Sequence, residues 1–253
     1  MNQDQEINIK YQENIMDFKN INWSEEDFSN YRKYLLTYKN TEDKINWRKT
    51  IVKTEMPMLA IYQKDIVAIT KKILKSNVLN YLNNVDFKYY EETLIYGNVL
   101  SSLKYYPMFY KFINMFVDKI DNWSTVDNIR FNNVYKTDKE ELFNLSSKYL
   151  VDERPFVRRT AVLILFVYIN DENYEQSIFN KLNDLVNEND YYVNMAASWL
   201  LCELFVKSRN NALKYYSNHQ TNKFIINKSI QKCRDSFRVS KEDKEMLLDF
   251  KVV

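Results

Sequence analysis

Three stretches of the C-terminal half decide the fold: VRRTA at residues 157–161, VNMAA at 193–197 and INKSI at 226–230. Each follows a polar break and opens an apolar run, and they recur at offsets of 36 and 33 residues. A repeat at this spacing is typical of helix pairs that stack on one another, because no single pair can bury its apolar face alone. The repeat predicts an all-α protein in which helix pairs form a curved superhelical solenoid.

The form of the first stretch, VRxxA, is typical of the second helix of a HEAT-type unit, so the pairs are expected to be HEAT-like and antiparallel. Apolar periodicity predicts helices along the whole chain. They are expected near residues 25–39, 41–56, 58–75, 76–83, 87–104, 107–119, 122–135, 138–150, 155–169, 173–187, 190–207, 210–217, 222–235 and 240–249. Ser24 and Ser240 precede acidic residues and are predicted helix caps. Pro57, Pro107 and Pro155 are predicted to lie in first helical turns.

No linker or low-complexity segment divides the chain, so residues 1–253 are predicted to form one HEAT-like domain. Its start, residues 1–22, is an acidic segment, for which a peripheral helix is one interpretation. This segment lacks the basic start and the apolar stretch of a secretory signal. The two cysteines, Cys202 and Cys233, are not spaced as CxxC and indicate a reducing compartment. We therefore expect a cytoplasmic protein.

The composition excludes several classes of protein. The chain has one Gly and three Pro in 253 residues, too few for the turns of a β-sandwich or the phosphate loops of a nucleotide-binding fold. The lone Gly97 cannot form a GxGxxG motif, so no nucleotide cofactor is expected. A single His219 leaves no usual zinc ligand set and no Ser-His-Asp triad. The longest apolar run, residues 161–169, is too short to span a membrane.

Positive charge is concentrated near the C-terminus, although the formal net charge of the chain is only +2. From residue 205 to residue 241 there are nine Lys or Arg residues and one acid, Asp235. Lys228 and Lys232, and likewise Arg234 and Arg238, are four residues apart, so each pair is expected on one helical face. Such a stripe favours binding to a phosphate backbone, while a solvated surface is the alternative.

The residues able to carry chemistry are then carboxylates, arginines and aromatic residues. Trp123 and Asp127 are one helical turn apart, which puts an indole and a carboxylate on one patch. Arg158 and Arg159 open the most apolar helix, where a charge needs a partner or the rim of a groove. Trp199 is preceded by small residues that leave room for a close helix neighbour or an uncovered ring face. The alternative for both tryptophans is core packing, and for Asp127 a surface or capping role.

Four blocks in this order make the sequence recognisable: SSLKYYPMFYKFINMFVDKIDNWSTVDNIR, PFVRRTAVLILFVYI, DYYVNMAASWLLCELFVKS and FIINKSIQKCRDSFRVSKEDK. They resemble the DNA alkylation repair glycosylases of the AlkD type, which are built from HEAT-like repeats. The resemblance runs from about residue 87 to residue 244, and more loosely back to residue 23. It implies that Trp123, Asp127, Arg159 and Trp199 line the DNA-binding face.

The resemblance further implies the chemistry. A purine alkylated at N3 or N7 is already cationic and leaves the sugar without a general acid, so one carboxylate, Asp127, suffices to stabilise the oxocarbenium-like sugar and orient water. Trp123 and Trp199 would face the sugar, and Arg159 would hold a phosphate. Arg158 is the alternative to Arg159 for that contact. The products would be a free base and an abasic site, with no metal or cofactor required and no base flipped into a deep pocket.

The sequence therefore predicts a monofunctional alkylpurine DNA glycosylase of base excision repair, without lyase activity, that acts as a monomer on alkylated double-stranded DNA. One alternative is a non-catalytic HEAT-repeat protein that binds damaged or unusual DNA structures. The other is a HEAT scaffold that binds proteins. The further contacts expected with DNA are Arg158, Lys228, Lys232, Arg234 and Arg238.

Overall fold

The computed structural model describes residues 16–19 and 21–253, and over this part of the chain the fold is all-α, without a strand. The helices divide into two compact units that meet in sequence between Asn133 and Val134. The predicted all-α class is confirmed, and the helix packing within the units is consistent with a helical repeat. Whether residues 1–253 form one domain stays a prediction.

The first unit contains α1 (Glu25–Leu36), α2 (Glu42–Val52), α3 (Gln63–Ile73), α4 (Val78–Asn84), α5 (Tyr90–Leu100), α6 (Tyr106–Val117) and α7 (Trp123–Asp127). Helix α8 (Asn132–Leu150) begins at the boundary and is interrupted by the non-helical backbone of Asp138. The second unit continues with α9 (Pro155–Leu165), α10 (Glu172–Asn183), α11 (Tyr191–Lys207), α12 (Arg209–Asn218), α13 (Lys223–Asp235) and α14 (Lys241–Met246). Short 3-10 turns, Phe166–Tyr168 and Leu247–Phe250, follow α9 and α14.

The repeat seen in the sequence corresponds to three helices that pack side by side in the second unit. Helix α11 packs against α9 on one side and α13 on the other. Ala196, Ala197 and Ser198 are fully buried there, because small side chains let the neighbouring helices approach closely. Helix α11 is apolar around most of its circumference, because it is buried against a neighbouring helix on each side.

Both predicted serine caps are confirmed. Ser24 accepts a hydrogen bond from the Asp27 backbone while the Asp27 carboxylate accepts one from Ser24, which forms a capping box. Ser240 accepts from the backbone of Asp243. Pro107 and Pro155 lie in first helical turns as predicted.

The prediction for Pro57 and for a helix near 58–75 is wrong at its start, because α3 begins only at Gln63. Residues 58–61 are buried in non-helical backbone, with Ala60 at a φ of 57°. The carboxylate of Glu91, itself fully buried, accepts the backbone N–H of Leu59 at 3.0 Å and of Ile61 at 3.3 Å. Burial raises the pKa of Glu91. A side chain 30 residues away thus replaces the helical hydrogen bonds of this segment.

Most of the predicted acidic segment, residues 1–22, lies outside the described residues. Its described part contains no helix, and Phe18 and Ile21 are buried in the first unit. Trp23 follows at a φ of 61° and is buried, with its indole N–H donated to the hydroxyl of Ser76 at 2.8 Å. The turn before α1 therefore has a buried tryptophan at its positive-φ position, where a glycine is more usual.

Candidate nucleic-acid interface

The Trp-x-x-x-Asp pair lies on α7, a helix of only five residues that is fixed at its start. The side chain of Asn122 is buried and caps the helix by accepting the backbone N–H of Thr125 at 2.9 Å. The neighbouring Asp121 carboxylate accepts the hydroxyl of Thr54 at 2.7 Å and the N–H of Glu55 at 3.2 Å. These bonds tie the start of α7 to the segment that follows α2, so the direction of the short helix is set from outside it.

Helix α7 also ends abruptly, so the predicted helix over residues 122–135 is wrong in length. The side-chain amide of Asn128 donates to the carbonyl of Leu94 at 2.7 Å and to the side chain of Asn98 at 3.0 Å. The backbone N–H of Arg130 is donated to the hydroxyl of Ser101 at 2.8 Å. Contacts with α5 and the residue that follows it therefore replace the next helical turn.

Trp123 and Asp127 are both half-buried, one turn apart on α7. The indole N–H of Trp123 is donated to the carbonyl of Ile51 at 3.2 Å, which orients the ring. The backbone carbonyl of Asp127 accepts from the guanidinium of Arg130 at 2.6 Å. A Trp123 fully enclosed in the core does not match this position, because the residue is only partly buried.

Trp199 lies on α11 in the second unit, and 40% of its surface is exposed. One side of the indole packs on Phe166, with ring centroids 4.5 Å apart and an interplanar angle of 56°. The indole N–H is donated to the carboxylate of Glu203, one turn further along α11, at 3.3 Å. Core packing therefore does not describe Trp199 either.

Glu203 is a residue that the sequence interpretation did not place. Its carboxylate accepts the indole N–H of Trp199 and also receives both terminal nitrogens of the Arg238 guanidinium, one of them at 2.8 Å. Arg238 lowers the pKa of Glu203. The i, i+4 spacing of Trp199 and Glu203 on one helix is the signal that could have revealed the pair.

The prediction that Arg234 and Arg238 share a helical face is wrong. Helix α13 ends at Asp235 and the next residue, Ser236, is extended, so Arg238 lies beyond the helix and turns toward Glu203. Arg234 remains on α13, with its guanidinium 3.8 Å from the carboxylate of Glu245. The two arginines thus have different partners, and only one contacts the group around Trp199.

Arg158 and Arg159 are both engaged within the second unit. Arg158 forms two parallel bonds with Glu188, at 2.6 Å and 3.0 Å, and donates to the carbonyls of Asp152 and Glu153. Burial acts to raise the pKa of Glu188, but the guanidinium of Arg158 outweighs it and the pKa is lowered. Arg159 is buried and donates to the carbonyl of Tyr192.

Lys228 and Lys232 are one turn apart on α13, as predicted. The ammonium group of Lys228 donates to the side chain of Gln231 at 2.8 Å. The pKa of Lys232 is lowered first by burial and then by the positive charges of Lys228 and Arg159. A cation held near other cations is stabilised by an anion, so this surface favours a phosphate.

The site residues thus fall into two groups. Trp123 and Asp127 belong to the first unit, and Arg158, Arg159, Trp199 and the α13 cations belong to the second. Among the described residues, no group of three or more His, Cys, Asp or Glu side chains is arranged to hold a metal ion. No helix in the described ranges is long and apolar enough to cross a membrane.

Comparison with protein families gives one match that covers most of the chain. The family model described as "DNA alkylation repair enzyme" matches residues 32–232, a range that includes Trp123, Asp127, Arg159 and Trp199. The match begins within α1 and ends within α13, so it extends over both units. Comparison with curated proteins gives no match.

Proposed function

The chain belongs to the DNA alkylation repair enzyme family, and from this premise we propose that it is a DNA glycosylase that releases N3- and N7-alkylated purines from double-stranded DNA. The observation that carries the proposal is the pair on α7, where Trp123 and Asp127 are half-exposed on a helix fixed at both ends. A protein that only binds DNA has no need to hold a carboxylate among its DNA contacts, where it repels phosphate.

The reaction breaks the bond between C1′ of the deoxyribose and the purine nitrogen. The electron pair of that bond moves to the base, which is cationic before the reaction and neutral afterwards, so the base needs no proton from an acid. Positive charge develops on the sugar, and the Asp127 carboxylate stabilises it. Asp127 then orients a water molecule toward C1′ and accepts its proton as the new C–O bond forms.

The two tryptophans contribute through their ring faces. The sugar becomes electron-poor in the transition state, and an indole face attracts such a group by about 0.5–2 kcal/mol when water is excluded. Trp123 is oriented by the Ile51 carbonyl and Trp199 by Glu203, so neither ring has to be ordered during the reaction.

The arginines and lysines of the second unit supply contacts with the DNA backbone. The positive charge of Arg159 is near enough to contribute to the lowered pKa of Lys232, after burial and the charge of Lys228, which favours a shared phosphate between the two cations. Arg158 is paired with Glu188, and Arg238 is paired with Glu203. To contact DNA, each arginine must therefore exchange its carboxylate partner for a phosphate or bind both at once. The residues proposed to contact DNA on this surface are Arg158, Arg159, Lys228, Lys232, Arg234 and Arg238.

The proposed enzyme is monofunctional, works as a monomer in the cytoplasm, and leaves an abasic site for base excision repair. The test is release of base from a duplex with N7-methylguanine at one position, with no divalent metal added, beside a duplex with the neutral lesion O6-methylguanine. We expect release of the cationic base only, and an abasic strand that stays uncut until alkali is added. Equal release of both bases, or a strand cut by the enzyme, would contradict the proposed chemistry.

A further inference from the structure

A row of aromatic side chains crosses the N-terminal turns of α9, α11 and α13. Phe156, Tyr192, Tyr191 and Phe224 follow one another with ring centroids 5.5, 5.4 and 6.1 Å apart. Phe156 and Tyr192 are half-buried, while Tyr191 and Phe224 are 57% and 39% exposed. A contiguous patch of exposed rings marks an interaction surface more than single exposed rings do, and neither Tyr191 nor Phe224 is among the residues expected to contact the lesion.

The row ends at a basic cleft of about 770 Å³ beside α13. Its lining consists of Lys223, Phe224, Asn227, Lys228, Gln231, Arg234 and Lys251. Four of these seven side chains are cationic, and among the described residues Glu245, 3.8 Å from Arg234, is the only carboxylate that pairs with any of them. A volume of this size matches the sites that hold ligands as large as a nucleotide.

One wall of the cleft is fixed by the C-terminal residues. The side chain of Asn227 donates to the carbonyl of Val252 at 2.8 Å and accepts its backbone N–H at 2.9 Å. This two-point clasp holds Lys251 at the cleft. Lys223 opens α13, where a cation faces the positive end of the helix dipole and is therefore unfavourable without an anion nearby.

From these contacts we propose that the aromatic row and the cleft bind single-stranded nucleic acid. Unpaired bases stack on Tyr191 and Phe224, and the phosphates between them are held by Lys223, Lys228, Arg234 and Lys251. Exposed aromatic rings beside a cationic groove are the general means of holding single strands, because every base has a face that can stack. A paired duplex hides its base faces, so it would use the cations of this surface but not the rings.

The inference rests on the proposed function only for the choice of nucleic acid as the partner. It goes beyond that function by assigning a binding site for an unpaired strand. A free nucleotide offers the same phosphate and the same base, so the length of the ligand distinguishes the two sources. A strand that spans both Tyr191 and Phe224 gains a second stacked base, which a mononucleotide lacks.

The test uses the full chain and an unmodified, fluorescently labelled oligothymidine of ten nucleotides, with binding followed by anisotropy at several salt concentrations. Phe224→Leu should weaken binding about 5- to 150-fold, which is the loss of one stacked base. The double variant Lys223→Gln, Lys251→Gln should reduce the slope of log affinity against log salt by about 1.4, since each single-strand phosphate contact contributes about 0.7. Phe237→Leu and Lys214→Gln, which change exposed residues outside the cleft lining, are the matched controls and should bind like the wild type.

Three results would overturn the inference. The first is no effect of Phe224→Leu together with an unchanged salt slope in the lysine variant. The second is thymidine monophosphate competing as tightly as the ten-nucleotide strand, because the site would then be a mononucleotide pocket. The third is an equal loss of single-strand and duplex binding in Phe224→Leu. Base release from N7-methylguanine duplex is measured separately, so the loss of either activity leaves the other assignment standing.

Discussion

Replacing Glu203 by glutamine should change DNA affinity and base excision in opposite directions. Glu203 holds Trp199 through the indole N–H and Arg238 through two charged hydrogen bonds. Glu203→Gln removes the charge that competes with phosphate for Arg238. It also weakens the pairing with Arg238 that fixes the side chain at position 203 beside the indole. The variant therefore gains a free cation and loses the orientation of one tryptophan.

The magnitudes follow from these two contacts. One additional phosphate contact steepens the dependence of log affinity on log salt by about 0.9, which corresponds to roughly threefold between 50 and 200 mM salt. Loss of an oriented indole costs about 0.5–2 kcal/mol of cation–π stabilisation, or about 2- to 30-fold in the rate of base release. The ion pair is half-exposed, with 53% of the Arg238 side chain in solvent, so the free energy of unfolding should change by less than about 1 kcal/mol.

The assay is duplex binding over a salt series together with single-turnover release of N7-methylguanine. Arg238→Gln is the companion variant, and it should lower excision like Glu203→Gln but flatten the salt dependence instead of steepening it. Asp243→Asn is the matched control, because Asp243 holds Arg209 in a similar bidentate pair on the same unit. If Glu203→Gln left excision unchanged, or if both variants shifted affinity in the same direction, the assignment of Glu203 as a positioning residue would be wrong.

Three further predictions concern stability and DNA contacts. Lys53 ends α2 at a φ of 57°, so Lys53→Gly should raise the free energy of unfolding by about 0.5–1 kcal/mol in urea denaturation, and a loss of stability would contradict the strain assigned to this residue. Because its pairing with Arg158 lowers the pKa of Glu188, the pair stabilises the protein above pH ~4.5 and this contribution is lost as the pH falls through the lowered pKa. Glu188→Gln should therefore cost about 1–3 kcal/mol at pH 7 and remove that part of the acid dependence, whereas an unchanged pH profile would show that the pair contributes little. Lys228→Gln should weaken binding to every duplex alike and flatten the salt slope by about 0.9, and a sequence-selective loss would indicate a base contact instead.

The parts of the fold that the sequence predicted depend on local patterns and on their recurrence along the chain. The repeat at residues 157, 193 and 226 identified α9, α11 and α13, because each buries a run of apolar residues against the next. The caps at Ser24 and Ser240 were predictable for a similar reason, since a serine and the acidic residues after it form a local hydrogen-bonded unit. Trp123 and Asp127 share α7 because four residues make one helical turn.

The parts that the sequence did not predict depend on contacts between distant residues. Residues 58–61 leave the helix because Glu91 binds two of their N–H groups, and the helix at 122–135 breaks because Asn128 binds the carbonyl of Leu94. The spacing of Arg234 and Arg238 predicts that they share a face of α13, but the helix ends at Asp235, three residues before Arg238. No local pattern specifies these partners, so the Glu203–Arg238 pair beside Trp199 is visible only in the folded chain.

The most direct test of the central claim compares the wild type with Asp127→Asn on duplex DNA that contains N7-methylguanine, without divalent metal, measuring both binding and release of free base. The exposed Asp43 on α2 provides the control, since Asp43→Asn makes the same change in charge within the same unit. We predict that Asp127→Asn keeps duplex binding and loses most base release, while Asp43→Asn behaves like the wild type. Unchanged release by Asp127→Asn would contradict the role of Asp127, and salt-sensitive binding by the wild type without any release would identify a DNA-binding protein rather than a glycosylase.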